Sequence, residues 1–170
     1  MANPNKRQGT AWESSVRNYL NRVLGLVDSA GRLLNPADGM NVRRAAQEGA
    51  KDVGDVHCWP FVLECKDVRN PAVPTWLRQA NAEAENANFP FGVVVHKLRG
   101  KPVASGRVHV SVSTWTAVRN YLGVPVDDAA GLYGVEYRAR GLETARWYVS
   151  LSLGDFADLV SDVRGAHAVP

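Results

Sequence analysis

Three charged residues interrupt two short apolar runs between positions 53 and 66. Asp55 lies in the first run, and Glu64 and Lys66 flank Cys65 in the second. Two neighbouring carboxylates repel each other unless a cation lies between them. Oxygen ligands suit a hard ion such as Mg²⁺ or Mn²⁺, and an adjacent lysine can orient water or neutralise charge on a phosphate. The pattern predicts a metal-dependent phosphodiester site, although a surface hairpin with a cross-strand Lys–Glu pair explains the same residues.

The elements that carry these residues are predicted to bring them together. Residues 53–58 and 61–66 have the composition of two strands, and Pro60 suits the turn between them because it cannot donate to a β-ladder. A hairpin that turns here pairs residues whose numbers sum to about 119, which sets Asp55 opposite Glu64. Side chains alternate between the two faces of a strand, so residues two apart share a face. The two carboxylates and the lysine are therefore expected on one patch.

Two other polar residues are weaker candidates for the same site. His57 shares the face of Asp55, nearer the turn, and could contact the scissile phosphate or its water. A strand histidine with purely structural hydrogen bonds is the alternative. Glu13 follows Thr10 at the spacing of a capping box at the start of a helix, so its carboxylate has either a capping or a site role.

The pattern along the chain predicts an α/β (α+β) domain with a central mixed sheet flanked by helices. Residues 1–9 are expected to be a flexible segment, followed by one domain over residues 10–165. Residues 123–144 are expected to be irregular, and Ser113 is a predicted helix N-cap. The predicted helices are 10–24, 75–87, 113–122 and 153–163, and the further predicted strands are 91–97, 146–152 and one within 103–112.

Composition limits the class of protein. With 170 residues, of which 45% are hydrophobic and 22% charged, the chain can bury a core without disulfides or metal. No apolar run reaches the roughly 18 residues of a membrane span, and the N-terminus lacks the apolar core of a signal peptide. Cys58 and Cys65 are too few for a zinc site. We therefore expect a cytoplasmic protein with reduced thiols and no membrane partner.

Charge is distributed unevenly along the chain. The formal net charge is only +3 and the isoelectric point about 9.0, but residues 86–126 contain no Asp or Glu. A region of one sign favours a polyanionic partner, although a solvated basic loop explains the same charge. The residues expected to contact such a polyanion are Lys6, Arg7, Arg43, Arg44, Lys51, Lys97, Arg99 and Lys101.

The charged residues also carry a family resemblance. Gly54-Asp55 and, nine residues after that aspartate, Glu64-Cys65-Lys66 resemble the signature of PD-(D/E)XK nucleases, with glycine in place of the usual proline. The first helix, KRQGTAWESSVRNYL, resembles the opening helix of Holliday junction resolvases in that superfamily, in which a glutamate completes the acidic cluster; Glu13 is the matching residue. The run GAKDVGDVHC…VLECKD resembles the junction resolvases of archaea and of some bacteriophages. The resemblance covers residues 6–97, and WYVSLSLGDFADLV is a looser match.

The resemblance implies a restriction-endonuclease-like fold and Mg²⁺ as the cofactor, with Mn²⁺ as a substitute. It also implies Lys66 as the catalytic lysine and a polar site residue at Gln79, on the helix after the E-x-K strand. The implied metal ligands are Glu13, Asp55, Glu64 and the main-chain carbonyl of Cys65. If the chain is phage-encoded, the bacterial cytoplasm is the implied location.

The function implied is a DNA endonuclease, with a Holliday junction resolvase as the first hypothesis. Such an enzyme nicks opposing strands of a four-way junction as a homodimer. One alternative is another PD-(D/E)XK nuclease, such as a recombination exonuclease or a nickase. A second is a nuclease-like DNA-binding module whose site is not used. The clustered charges argue against this second alternative, because a non-catalytic domain has no physical need to bury them.

Overall fold

A computed structural model describes residues 4–46, 51–139 and 141–167. These residues form one seven-stranded sheet and five α-helices. None of these helices is long and apolar enough to cross a membrane. The helices are α1 (Pro4–Val23), α2 (Val73–Asn86), α3 (Val112–Leu122), α4 (Val126–Leu132) and α5 (Leu153–His167). The strands are β1 (Arg43–Arg44), β2 (Val56–Cys58), β3 (Phe61–Lys66), β4 (Phe91–His96), β5 (Arg107–Ser111), β6 (Glu136–Arg138) and β7 (Tyr148–Ser152).

The sheet is mixed, with the order β1-β2-β3-β4-β5-β7-β6. Strands β3 and β4 are parallel, and every other neighbouring pair is antiparallel. A parallel pair needs a long crossover, and α2 supplies it between β3 and β4. This arrangement confirms the predicted α/β class with helices flanking a central mixed sheet.

The β2–β3 hairpin has the predicted turn and register. Its pairs Val56↔Leu63 and Cys58↔Phe61 both sum to the expected value. The main-chain N–H of Asp55 donates to the carbonyl of Leu63 (3.2 Å), which continues the pairing one step before β2 begins. The register follows from the apolar alternation, because a slip by one residue would turn the buried side chains to the opposite face.

Helix α1 covers the face of the sheet that carries most of the core. Trp12, Val16 and Leu20 are each at most 3% exposed, and their spacing of four residues places them on one stripe of the helix. The indole N–H of Trp12 donates to the carbonyl of Val95 on β4 (3.0 Å), which fixes the helix across the sheet.

The start of α1 differs from the prediction. The helix extends from Pro4, so residues 4–9 are helical where a flexible segment was expected, while residues 1–3 lie outside the described part. Proline suits a first helical turn because its missing N–H would have no partner there. Thr10 and Glu13 consequently lie in the middle of the helix, and the predicted capping box is wrong.

Two predictions in the second half of the chain are also wrong. The N-cap of α3 is Ser111 in place of Ser113, and its hydroxyl accepts a hydrogen bond from the N–H of Thr114 (3.2 Å). The span 123–144, expected to be irregular, contains α4 and β6. Strand β6 is short and fully exposed. Its pairing with β7 supplies the order that its own sequence does not predict.

Candidate active site at the end of the β2–β3 hairpin

Asp55 lies immediately before β2, and its side chain contacts the open side of β3, the part of that strand's edge with which β2 does not pair. Its Oδ2 accepts a hydrogen bond from the main-chain N–H of Cys65 (2.8 Å). The pairing of β2 with β3 ends at the hydrogen bond from the N–H of Asp55 to the carbonyl of Leu63. Beyond that point β3 has no strand neighbour on this side among the described residues, and the side chain of Asp55 takes the place of one. The predicted convergence of Asp55 with the E-x-K strand is confirmed in this geometry.

Glycine before this aspartate has a local physical cause. Gly54 has φ of +81°, a left-handed conformation that L side chains rarely adopt. Proline is excluded there because its ring holds φ near about −65°. A Cβ at this position would also overlap Cγ1 of Val62 and approach Oε2 of Glu83 to 3.3 Å. Glycine at this position is therefore a requirement of this backbone.

Glu64, Lys66 and Gln79 form a hydrogen-bonded group on the face of β3 that α2 covers. Nζ of Lys66 donates to Oε1 of Glu64 and forms an ion pair with it. Nε2 of Gln79 donates to the same oxygen (3.1 Å), and Nζ of Lys66 is 3.4 Å from Oε1 of Gln79. The structure thus brings Gln79 into the group that the sequence predicted for Glu64 and Lys66.

Close packing of α2 on β4 makes this contact feasible. A Cβ on Gly92 of β4 would overlap the main-chain carbonyl of Ala80, the residue after Gln79. The helix therefore lies nearer the sheet than any larger residue at position 92 would allow. This short separation lets the amide of Gln79 reach Glu64.

Burial and mutual repulsion change the acidity of the two central carboxyl groups. Burial, together with the charges of Glu64 and Glu13, raises the pKa of Asp55 to about 7, against the hydrogen bond from Cys65. Burial likewise raises the pKa of Glu64 to about 7, although Lys66 acts in the opposite direction. The folded state therefore holds two carboxylates whose ionisation is costly without a cation.

Glu83 is a further acidic residue of this group, and the sequence analysis missed it. Its side chain is only 2% exposed, and within the described part of the chain neither carboxylate oxygen has a hydrogen-bond partner. Burial raises its pKa, and its charge raises that of Glu64. The available signal was its spacing: Gln79 and Glu83 are four residues apart on a helix and share a face.

Glu13 reaches the cluster from α1. Its side chain is 14% exposed and forms an ion pair with Arg44 on β1. The charge of Glu13 also raises the pKa of Asp55, which places the two carboxylates within electrostatic reach. The structure therefore brings together all four residues of the predicted acidic and lysine set, with Glu13 held by an arginine.

The donor chemistry of the cluster fits a hard cation. Within the residues that the structure describes, no three His, Cys, Asp or Glu side chains are grouped to hold a metal ion. The Cys65 carbonyl points to the same side of β3 as its N–H, which donates to Asp55. Mg²⁺ in proteins keeps several waters and takes one or two carboxylates. Asp55, Glu64 and the Cys65 carbonyl match that requirement, and the thiol of Cys65, whose pKa burial raises, is buried in the core.

His57 lies on the predicted face but is engaged elsewhere. Its Nε2 lies 2.8 Å from the carbonyl of Val53, and its ring packs against Phe89 with centroids 4.8 Å apart. These contacts favour the structural alternative for this histidine.

The basic residues assigned to DNA binding differ in their surroundings. Lys97 and Arg99 both pair with Asp67, immediately after Lys66 (2.9 and 3.0 Å). Burial raises the pKa of Asp67, but the two cations outweigh burial, so the net shift of this pKa is downward. Lys51 and Lys101 are exposed. Lys6 and Arg7 belong to the backbone of α1, but their side chains lie outside the described part.

Comparisons of the chain with protein-family models, curated proteins and solved structures found no match.

Proposed function

We propose that this chain is a metal-dependent DNA endonuclease of the PD-(D/E)XK type that resolves four-way junctions as a homodimer. One observation carries the proposal: half-buried Asp55 and buried Glu64 face each other at the open side of β3, with Lys66 beside them. An arrangement that raises the pKa of two carboxyl groups is unfavourable for stability alone, and functional sites are where such arrangements concentrate.

The residues have separable roles in phosphodiester cleavage. A cation held by Asp55, Glu64 and the Cys65 carbonyl would supply Lewis-acid stabilisation of charge on the phosphate. Lys66 lies on the same face and can orient the attacking water or stabilise negative charge that develops during cleavage. Gln79 donates to Glu64 and holds its carboxylate in one orientation.

The surroundings of the cluster favour a polyanionic substrate. Arg44 is in direct contact with Glu13, and Lys97 and Arg99 pair with Asp67 next to Lys66. Cations placed around a carboxylate cluster offset its repulsion toward phosphates and position the backbone without reading bases. The choice of a four-way junction rests on the resemblance of residues 6–97 to junction resolvases.

The test compares end-labelled four-way junction, flap, nicked and linear duplex DNA of matched sequence, with Mg²⁺, Ca²⁺ or EDTA. We expect junction cleavage with Mg²⁺, binding with little cleavage in Ca²⁺, and no cleavage in EDTA. Glu64→Gln and Lys66→Ala should each reduce the cleavage rate by about 100-fold or more, because each removes a charge that acts at the phosphate.

Glu85→Gln is the matched control, since this glutamate is exposed on the same helix α2 that carries Gln79. It should cut at the wild-type rate. Cleavage that survives EDTA, or that Glu64→Gln leaves unchanged, would refute the proposal. Junction binding without cleavage in any metal would instead support an unused nuclease-like module.

A further inference from the structure

A wide polar groove lies beside the cluster, between α1 and the chain that leads into β1. Its volume is about 840 Å³, and it runs along the outer side of α1. Its polar lining consists of Arg17, Asn18, Asn21, Arg22, Arg43 and Arg44. Four guanidinium groups on one surface of this size are the feature to be explained, because like charges repel unless an anion lies between them.

The charge of the groove is largely uncompensated. No acidic residue belongs to its lining within the described residues. Arg17 donates to the side-chain oxygen of Asn18 (2.8 Å), and Arg43 donates to the carbonyls of Pro36 (2.6 Å) and Asp38 (3.1 Å), so neither contact neutralises the guanidinium. Of the four groove arginines, only Arg44 pairs with a carboxylate of the described residues, that of Glu13.

The walls of the groove are held in place by buried hydrogen bonds. Asn21 is 5% exposed; its amide donates to the carbonyl of Val42 (2.8 Å), and its oxygen accepts from the N–H of the same residue (3.0 Å). This pair of bonds fastens the arginine-bearing strand β1 to α1. On the other wall, Val27 and Leu33 form an isolated antiparallel β-bridge. The arginines therefore project from a preformed surface, which lowers the entropic cost of binding.

The groove leads to the acidic cluster. Arg44 belongs to its lining and contacts Glu13, which lies within electrostatic reach of Asp55. Arg17 and Arg22 both line the groove and are five residues apart on α1, about 7–8 Å at a rise of about 1.5 Å per residue. Successive phosphates of one strand advance about 3.4 Å along a duplex axis, so this length matches about two of them.

We infer that this groove binds the phosphate backbone of one DNA strand that leads into the cluster, and that Arg17 and Arg22 belong to the binding surface. The inference rests on the proposed function and deepens it, because it assigns the path of the substrate. Guanidinium groups bind phosphate oxygens through two hydrogen bonds, and asparagine amides add neutral donors, so the groove recognises the backbone and not the bases.

The experiment measures the salt dependence of junction binding by fluorescence anisotropy, in a Glu64→Gln background with Ca²⁺ to prevent cutting. The test variant is Arg17→Ala/Arg22→Ala. The matched control is Arg138→Ala/Arg146→Ala, which removes the same charge from exposed arginines near the opposite end of the sheet. We expect the groove variant to weaken binding of every DNA sequence and to lower the slope of log K against log salt by about 1.8, about 0.9 per lost contact.

A third variant, Asn18→Asp, places a negative charge beside Arg17 without removing any side chain. It keeps the test valid if the double variant fails to fold, and it should also weaken binding. Equal losses in the groove and control variants would overturn the inference. Cleavage by the wild type, measured in parallel, separates the two proposals: cutting without a groove effect defeats only the groove, and a groove effect without cutting defeats only the nuclease.

Discussion

At the scale of single residues, Asp55 and Glu64 are the groups whose free energy depends most on what lies between them. Both have a pKa of about 7, which burial raises in each case and to which the charge of Glu64 contributes at Asp55. At pH 8 both are mainly ionised, and the folded chain without metal carries that repulsion. Stability should therefore report on cation binding independently of any cleavage assay.

Asp55→Asn should stabilise the metal-free protein at pH 8. The amide keeps an acceptor for the N–H of Cys65 and removes one repelling charge. We expect the melting temperature in EDTA to rise by roughly 3–6 °C, because one pKa unit corresponds to about 1.4 kcal/mol and 1 kcal/mol to about 2–4 °C at this size. Added Mg²⁺ should raise the melting temperature of the wild type but hardly that of the variant. A variant that responds equally to Mg²⁺ would remove Asp55 from the ligand set.

Glu13→Gln should lose most cleavage activity while its melting temperature changes by less than about 2 °C. The Arg44 side chain is 40% exposed, and an ion pair with one solvated partner contributes about 0–1 kcal/mol, so losing this contact has little effect on folding. The loss of an anion from the cluster acts on catalysis instead. Glu143→Gln, which breaks the exposed pair with Arg146, is the matched control in both assays. Full activity of Glu13→Gln would leave Glu13 as a purely structural partner of Arg44.

His109 should make the protein sensitive to acid. It is buried on β5, with Nδ1 2.8 Å from Oγ of Ser150, and burial together with the neighbouring charges of His96, Arg107 and Arg138 lowers its pKa to about 3. Below the unfolded pKa of about 6.5 the unfolded chain binds a proton that the folded chain does not, so stability is lost as pH falls from about 6.5 toward 3.

Replacing His109 with glutamine should remove this dependence, by up to about 1.4 kcal/mol per pH unit. The measurement is the difference in melting temperature between variant and wild type from pH 7 to pH 4, which should change steadily in favour of the variant. His167→Gln, at the exposed end of α5, serves as the control. Parallel pH profiles for wild type and His109→Gln would contradict the assignment.

At the scale of elements, the separation of α2 from the sheet decides whether the site is complete. The helix carries Gln79 and Glu83, and it approaches β4 closely because position 92 has no side chain. Helix and strand here form one functional unit, since neither polar residue can reach Glu64 from a helix set farther out.

Gly92→Ala should therefore reduce both stability and cleavage. The new methyl group overlaps the carbonyl of Ala80, so α2 must move outward. Overpacking of this kind costs about 1–3 kcal/mol. The displaced Gln79 should lower the cleavage rate even at temperatures where the variant is fully folded. Gly131→Ala, in α4 with no atom within 4 Å of the new Cβ, is the control and should be neutral or slightly stabilising. An active, stable Gly92→Ala protein would show that α2 tolerates a wider separation.

At the scale of the whole molecule, the described residues of each chain form one such acidic cluster, at one end of the sheet. A four-way junction has near two-fold symmetry, and its resolution needs two matched nicks. A dimer with two-fold symmetry presents two identical sites to one substrate. The proposed function therefore carries a requirement on assembly.

We expect a solution mass of twice 18.5 kDa at micromolar concentration, measured by light scattering or sedimentation. Binding of a junction should exceed binding of linear duplex in the presence of competitor DNA, and both should weaken steeply with salt. Ionic strength is matched between the two substrates as the control. A monomer that binds both substrates equally would leave a metal-dependent nuclease without junction preference.

In the basic span 86–126, folding pairs several cations with carboxylates that are distant in the sequence. In the sequence it is one acid-free region, which suggested a continuous track for DNA arms. In the structure Lys97 and Arg99 pair with Asp67, and Arg107 pairs with Glu136. Further arginines that pair with no carboxylate of the described residues lie along α1 and β1, where Arg17 and Arg22 are separated in sequence from Arg43.

The sequence alone was sufficient to predict the hairpin and the position of its two carboxylates opposite each other. Alternation of apolar residues and the turn at Pro60 are local properties, and they determine that Asp55 stands opposite Glu64. The capping box failed because Thr10 and Glu13 also suit a helix interior, and the choice of where α1 begins depends on residues before them.

The tertiary structure alone decided which distant residues complete the site. Glu13 lies near the cluster because Trp12 and the other buried residues of α1 fix that helix across the sheet. Glu83 lies near it because Gly92, which has no side chain, lets α2 pack closely on β4. Both contacts depend on packing between elements far apart in the chain, and periodicity within one element carries no information about how closely it packs on another. Local patterns therefore determined the chemistry at the hairpin, and long-range packing determined what surrounds it.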